Sequence, residues 1–120
     1  MTFVLANTDF TDWGGGIWLC DKSVSAITSD IVASGAVLGY YQTGMMVTLP
    51  WMSDNQLLRK YFHHNVGTIR MVTADYSGSP VLAGAGTWKF VIITGQAIAK
   101  NANIDYSDYE QVKRAFNLQD

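Results

Sequence analysis

Ala36-Val37-Leu38-Gly39-Tyr40-Tyr41-Gln42-Thr43, then Gly44, then Met45-Met46-Val47-Thr48-Leu49-Pro50-Trp51, is the stretch whose reading decides the fold. Its two arms form a hairpin-like pair of predicted strands joined at Gly44. The first arm is apolar at odd and even positions alike. Successive strand side chains point to opposite faces, so such a strand must be covered twice. It belongs in the middle of a sandwich or against another molecule.

Upstream, residues 25–34 read as a short helix, strongest near 28–34. Thr28 or Ser25 can cap it, Asp30 lies in its first turn, and Ile27 and Ile31 stand one turn apart. Gly35 is placed to end it in a left-handed conformation. Earlier still, residues 2–6 read as a strand, 7–9 as a turn, and 10–13 as a segment running into Gly14-Gly15-Gly16, with a strand resuming over 17–20. Three glycines in a row allow a bend or a bulge. They do not make a phosphate loop, since no Lys-Ser/Thr pair follows and no helix begins there.

Downstream, residues 52–56 form a polar connection. Residues 57–64 and 66–73 read as a second strand pair turning near Asn65, and Ile69 and Met71 alternate with Thr68 and Arg70. Residues 75–87 form a long connection of small residues and so a candidate contact loop. Trp88-Lys89-Phe90-Val91-Ile92-Ile93-Thr94 is the strongest strand, ended by Gly95, and is expected to be central. Residues 96–104 read as irregular. A capping box of Ser107 with Glu110 opens a C-terminal helix over about 108–117, with Tyr109, Val112 and Phe116 on one stripe.

These elements fit one domain spanning residues 1–120, long enough to bury about two-thirds of its unfolded surface. Charged residues make up 15% of the chain, well below the usual ~25%. Eight basic residues stand against ten acidic ones, a net charge of −2, and no basic cluster offers a footprint for nucleic acid. The first residues carry no basic region and only a short apolar run, so no signal peptide is expected. No stretch approaches the ~18 apolar residues of a membrane span.

The string of signals resembles an uncharacterised exported module of Bacteroidota. The likeness rests on the helix–strand unit ITSDIVASGAVL (27–38) with Tyr40, the strand ending in LP (49–50), VGTIRM (66–71), KFVIITG (89–95) and the closing DYSDYEQVKRAF helix (105–116). It implies a small β-sandwich of surface proteins or lipoproteins, sometimes following collagen-like repeats, with no catalytic residues to carry over. A bacteriophage of that phylum carrying the same module in a virion protein is the alternative setting.

The residues themselves gather no reaction chemistry. His63 and His64 are adjacent on a strand and point to opposite faces, so they do not share a metal. The carboxylates fall mostly at turns and helix starts, and Asp105 with Asp108 lack the alternation of a calcium loop. Cys20, the single cysteine, sits beside Trp18 and Leu19 as a small buried hydrophobe. Aromatics are the more informative set. Trp18 and Trp88 read as core; Trp51 and Tyr76, at loop ends, are candidates for contact with a partner.

The reading is a mainly β protein: one β-sandwich with jelly-roll-like or immunoglobulin-like layering, plus two short helices. No catalytic, metal or cofactor residues are assigned, and no enzyme activity is expected. The expected role is structural or adhesive, in an extracellular surface assembly, a fibre or a virion. The chain would act by self-association or by contact with a neighbouring structural protein, through Trp51, Tyr76, Met45 and Tyr40. The alternative is a carbohydrate-binding module that stacks a surface glycan on Trp51 and Tyr76, with the 75–87 loop completing the platform.

Overall fold

Strand β4 (Ala36–Gln42) is apolar on both faces, and both faces are covered within the chain. Val37 and Tyr41 point to one side, into a core that also holds Cys20, Ile69, Met71, Trp88 and Phe90. Tyr40 points to the other side, into a second cluster with Val91, Ile93, Tyr109 and Val112. The requirement of double cover is thereby met without a second molecule.

The computed structural model describes residues 1–42, 44–78, 84–101 and 103–118. They form two antiparallel sheets. The first has the order β1 (Thr2–Leu5), β9 (Gly86–Ile93), β4, β5 (Met46–Thr48). The second has the order β2 (Thr11–Gly14), β3 (Ile17–Ser23), β8 (Thr68–Asp75), β7 (Leu58–Asn65), β6 (Trp51–Met52). The sheets pack face to face as a β-sandwich. Phe62 of β7 meets Phe90 of β9 across the interface, ring centroids 5.0 Å apart in an edge-to-face pair.

A third layer lies on the outer face of the first sheet. It consists of α2 (Gly95–Lys100) and α3 (Tyr109–Ala115), and Tyr40 packs edge-on against Tyr109 at 4.9 Å. β9 is interior to its sheet, between β1 and β4, as its run of β-branched and aromatic residues predicts.

Several local expectations are corrected. The second arm of the opening stretch is not one strand. Only Met46–Thr48 pairs with β4; Pro50, which has no N–H to donate, interrupts the ladder, and Trp51–Met52 joins the other sheet. Residues 95–100 are helical rather than irregular, because the Thr94 hydroxyl accepts from the Ala97 N–H at 3.1 Å and caps the turn. The cap of α3 is Asp108, whose carboxylate accepts from the Gln111 N–H at 3.2 Å. Ser107 instead donates to Asp105 Oδ1 at 2.6 Å, so the Ser107–Glu110 box does not form.

Helix α1 (Ser29–Ser34) follows Thr28, one of the two expected caps, whose Oγ1 accepts from the Ile31 N–H. Gly35 ends it in an extended conformation, not a left-handed one. Glycine is required there for a different reason: a Cβ would press into the Ile93 carbonyl and lie 3.1 Å from the Ile31 side chain. The glycine triplet does need its freedom. Gly14, Gly15 and Gly16 have φ of 84°, 65° and 83°, and they turn β2 into β3.

Candidate functional site

The two sheets share a chain crossing at one side of the sandwich. β5 runs at the edge of the first sheet, Leu49-Pro50 carry the chain across by a cis peptide bond, and β6 takes the edge of the second. Between these edges opens a cavity of about 380 Å³. Its walls are Tyr41 from β4, Met45 and Val47 from the β5 side, Trp51 from β6 and Leu58 from β7.

Two cationic residues line it, the exposed Arg59 and the buried Lys60. Lys60 lies on β7 opposite Trp51 and Thr73, and only 7% of its surface is exposed. Strand alternation explains the placement, since Leu58, Lys60 and Phe62 share the inward face of β7. Lys60 Nζ donates to Thr73 Oγ1 at 3.2 Å and lies over two aromatic faces, 4.4 Å from the Tyr41 ring centroid and 5.4 Å from that of Trp88. Burial disfavours the charged form and brings the ammonium pKa down from 10.5 to about 8. An ion pair lies elsewhere: Arg70 with Asp21 on the outer face of the second sheet, at 2.8 and 3.0 Å.

On the other side of Trp51 is a shallower cleft of about 320 Å³, bounded by Pro50, Met52, Arg59, Tyr61 and Tyr76. The Arg59 guanidinium stacks over Tyr76 at 5.4 Å. Met45, Met52, Leu57 and Tyr76, all more than a third exposed, crowd around this crossing.

Three of the four expected contact residues therefore converge. Met45 and Trp51 line the cavity; Trp51 and Tyr76 line the neighbouring cleft. Tyr40 does not join them. It is fully buried beneath α3, where its hydroxyl donates to the Tyr106 carbonyl at 2.7 Å. Its parity on β4 places it on the helix-covered face, so it is a packing residue.

Of the expected 75–87 loop, Asp75 ends β8, residues 86 and 87 belong to β9, and residues 79–83 lie outside the described residues. His63 and His64 are both exposed beside the Arg70–Asp21 pair. Cys20 is buried, and burial pushes its thiol pKa up, away from thiolate reactivity. Among the described residues no cluster of three His, Cys, Asp or Glu side chains could hold a metal, and no helix is long and apolar enough to cross a membrane.

Lys60 is the residue the sequence reading missed. A signal existed, because Lys60 alternates in step with Leu58 and Phe62, but Tyr61 on the opposite parity hides which face turns inward. No protein-family model, curated protein or solved structure matches the chain.

Proposed function

We propose that the chain is a non-catalytic structural or adhesive module that associates, with copies of itself or with a neighbouring structural chain, through the rim of the β5–β6 crossing. The observation that carries this reading is the gathering of Met45, Met52, Leu57 and Tyr76 around Trp51, a set of exposed large apolar side chains on one side of the sandwich. Aromatic, methionine and arginine side chains, here with Arg59 beside the patch, are what interface centres use. Both edge strands there are short, three and two residues, so side chains rather than a free strand edge would make the contact. If the resemblance to exported Bacteroidota modules holds, such a module would serve in a surface assembly or fibre, or, carried by a phage, in a virion.

The doubly apolar β4 no longer argues for association, since α2 and α3 cover it. The rim does. Light scattering across the micromolar range tests it: the wild type should gain mass with concentration, and Met52→Asp should remain monomeric. A wild type that is monomeric throughout sinks the self-association form of the proposal.

One arrangement favours a second reading. Trp51, Tyr61 and Tyr76 line a single open cleft with Arg59 at its side, a geometry suited to stacking a sugar ring. Binding on a glycan array that Trp51→Ala abolishes would favour this reading, and an array without hits removes it.

A further inference from the structure

We infer that the cavity around Lys60 binds a small apolar monocarboxylate, its carboxylate against the Lys60 ammonium and the Thr73 hydroxyl, its stem between Trp51, Val47 and Leu58. The site stands apart from the rim contact proposed above, because the acid would lie inside the cavity whether or not a partner covers the mouth.

The argument starts from charge. A buried ammonium is ordinarily paired with a carboxylate or fully hydrogen-bonded. Lys60 has three N–H donors and, among the described residues, one hydrogen-bond acceptor, Thr73 Oγ1. Its other neighbours are the faces of Tyr41 and Trp88, which attract a cation but accept no strong hydrogen bond. Both Lys60 and Thr73 line the cavity, so the unfilled donors border empty space. Thr73 accepts from Lys60 and keeps its own O–H to give. Ammonium and hydroxyl side by side can each donate to one oxygen of a carboxylate, and a charge-assisted pair of this kind is strongest where water is excluded.

The walls choose the rest of the ligand. Apart from these two groups and Arg59 they are mostly apolar, and a pocket of about 380 Å³ lies at the small end of the range for organic ligands. A phosphate or dicarboxylate would bring a second negative charge, and the other cationic residue of the lining, Arg59, has its guanidinium stacked on Tyr76 rather than beside Lys60. A neutral ligand would leave the ammonium without a counter-charge. One negative charge on an apolar or aryl stem fits both constraints.

The test uses 4-phenylbutyrate as the probe, with 4-phenylbutanol as its neutral isostere, titrated calorimetrically into the intact chain. At pH 7 the acid should bind at least tenfold more tightly than the alcohol. Lys60→Met, with folding checked by near-ultraviolet circular dichroism, should erase that preference while still admitting the alcohol; Thr73→Val should reduce it several-fold. The groups around Lys60 are Thr73 from β8, Trp51 from β6, Val47 from β5, Tyr41 from β4, Trp88 from β9 and Arg59 of the cavity lining, with the buried Asp75 two residues beyond Thr73 on the same face of β8. Tyr41 is the group among these that loses a proton on the alkaline side, and burial raises its pKa above 10. The acid's affinity should therefore fall about tenfold per pH unit above roughly pH 8 as Lys60 loses its proton, while the alcohol's stays flat.

Equal binding of acid and alcohol by the wild type, no binding of the acid at millimolar concentration, or undiminished acid preference in Lys60→Met would each overturn the assignment. If Lys60→Met does not fold, the wild-type acid–alcohol comparison and its pH profile decide alone. An outcome in which the chain self-associates but binds no acid refutes this site and leaves the rim contact standing.

Discussion

The Lys60 ammonium sits 4.4 Å from the centroid of the Tyr41 ring, inside the end of a hydrophobic core and without a carboxylate partner among the described residues. A lysine so placed is a stability liability that depends on pH. Below about pH 8 it is charged in both folded and unfolded states, and the folded state carries the desolvation penalty. Between about 8 and 10.5 the folded chain gives up the proton first, so the unfolded state binds more protons and stability rises with pH. The size is on the order of 3 kcal/mol over that window. Lys60→Met should lack this rise. Urea denaturation of both proteins at pH 7 and 10 reads it as a difference of differences, in which other titrating groups cancel. A gap between the two proteins that does not change with pH would refute the buried-ammonium account.

Tyr40 predicts the opposite slope. Burial, reinforced by Asp105 and Asp108, pushes its phenol up to about 12 from an ordinary 10. An acid whose folded pKa is raised contributes stability that is present below the unfolded value and is lost as pH rises through the folded one. Alkaline weakening should therefore run from about pH 10 to 12. Tyr40→Phe should flatten that part of the profile. It should also cost about 1–2 kcal/mol at neutral pH by leaving the Tyr106 carbonyl without its donor. Equilibrium unfolding of both proteins across that range checks both statements, and a phenylalanine variant as stable as the wild type at pH 7 counts against the bond.

These two residues also mark where the sequence was legible. That β4 needs two covers follows from its residues alone, and so do the two-sheet class and the interior place of β9, while the cap of α1 is narrowed to Thr28 or Ser25. What supplies the second cover does not. The helix 95–100 has no strong periodicity and is held by the Thr94 cap and by Ala97 and Ile98 packing on the outer face of the first sheet, a tertiary effect on six residues of weak local preference. Tyr40 and Tyr41 look alike as neighbours in sequence, yet opposite parity sends one under α3 and the other into the cavity wall. The signal at Lys60 is ambiguous for the same reason. The depth of Lys60 depends on which face of β7 turns inward, and Tyr61 and Phe62 leave that undecided.

The C-terminal layer should be indispensable to solubility as well as to stability. Val112 is fully buried between α3 and the sheet, beside Tyr40 and Ile93. Val112→Ala should lower stability by about 1.5–3 kcal/mol through lost burial and a small cavity. Val112→Asp would put an unpaired charge in the same place and should release α3, baring the apolar outer face of β4 and β9. The expected signature is a rise in binding of a hydrophobic dye together with concentration-dependent aggregation. An aspartate variant that stays soluble, dye-silent and as stable as the wild type would show that the third layer is dispensable.

Gly39 tests how closely the two sheets approach. It lies at the middle of β4 with its Cα toward the second sheet, and a Cβ built there would fall 2.7 Å from Phe62 Cδ1 and 3.1 Å from Phe90 Cε1. The missing side chain is thus the space into which the Phe62 ring fits to make its edge-to-face contact with Phe90. Gly39→Ala restores strand propensity but overpacks this point, and overpacking a filled core costs about 1–3 kcal/mol. Shortening the intruding ring should relieve it. In the double variant Gly39→Ala with Phe62→Leu, the loss should be smaller than the sum of the two single losses by about 1 kcal/mol or more. Strict additivity in that cycle, measured by thermal or urea unfolding, would mean that the rings move aside freely and that the glycine is not what sets the spacing of the sandwich.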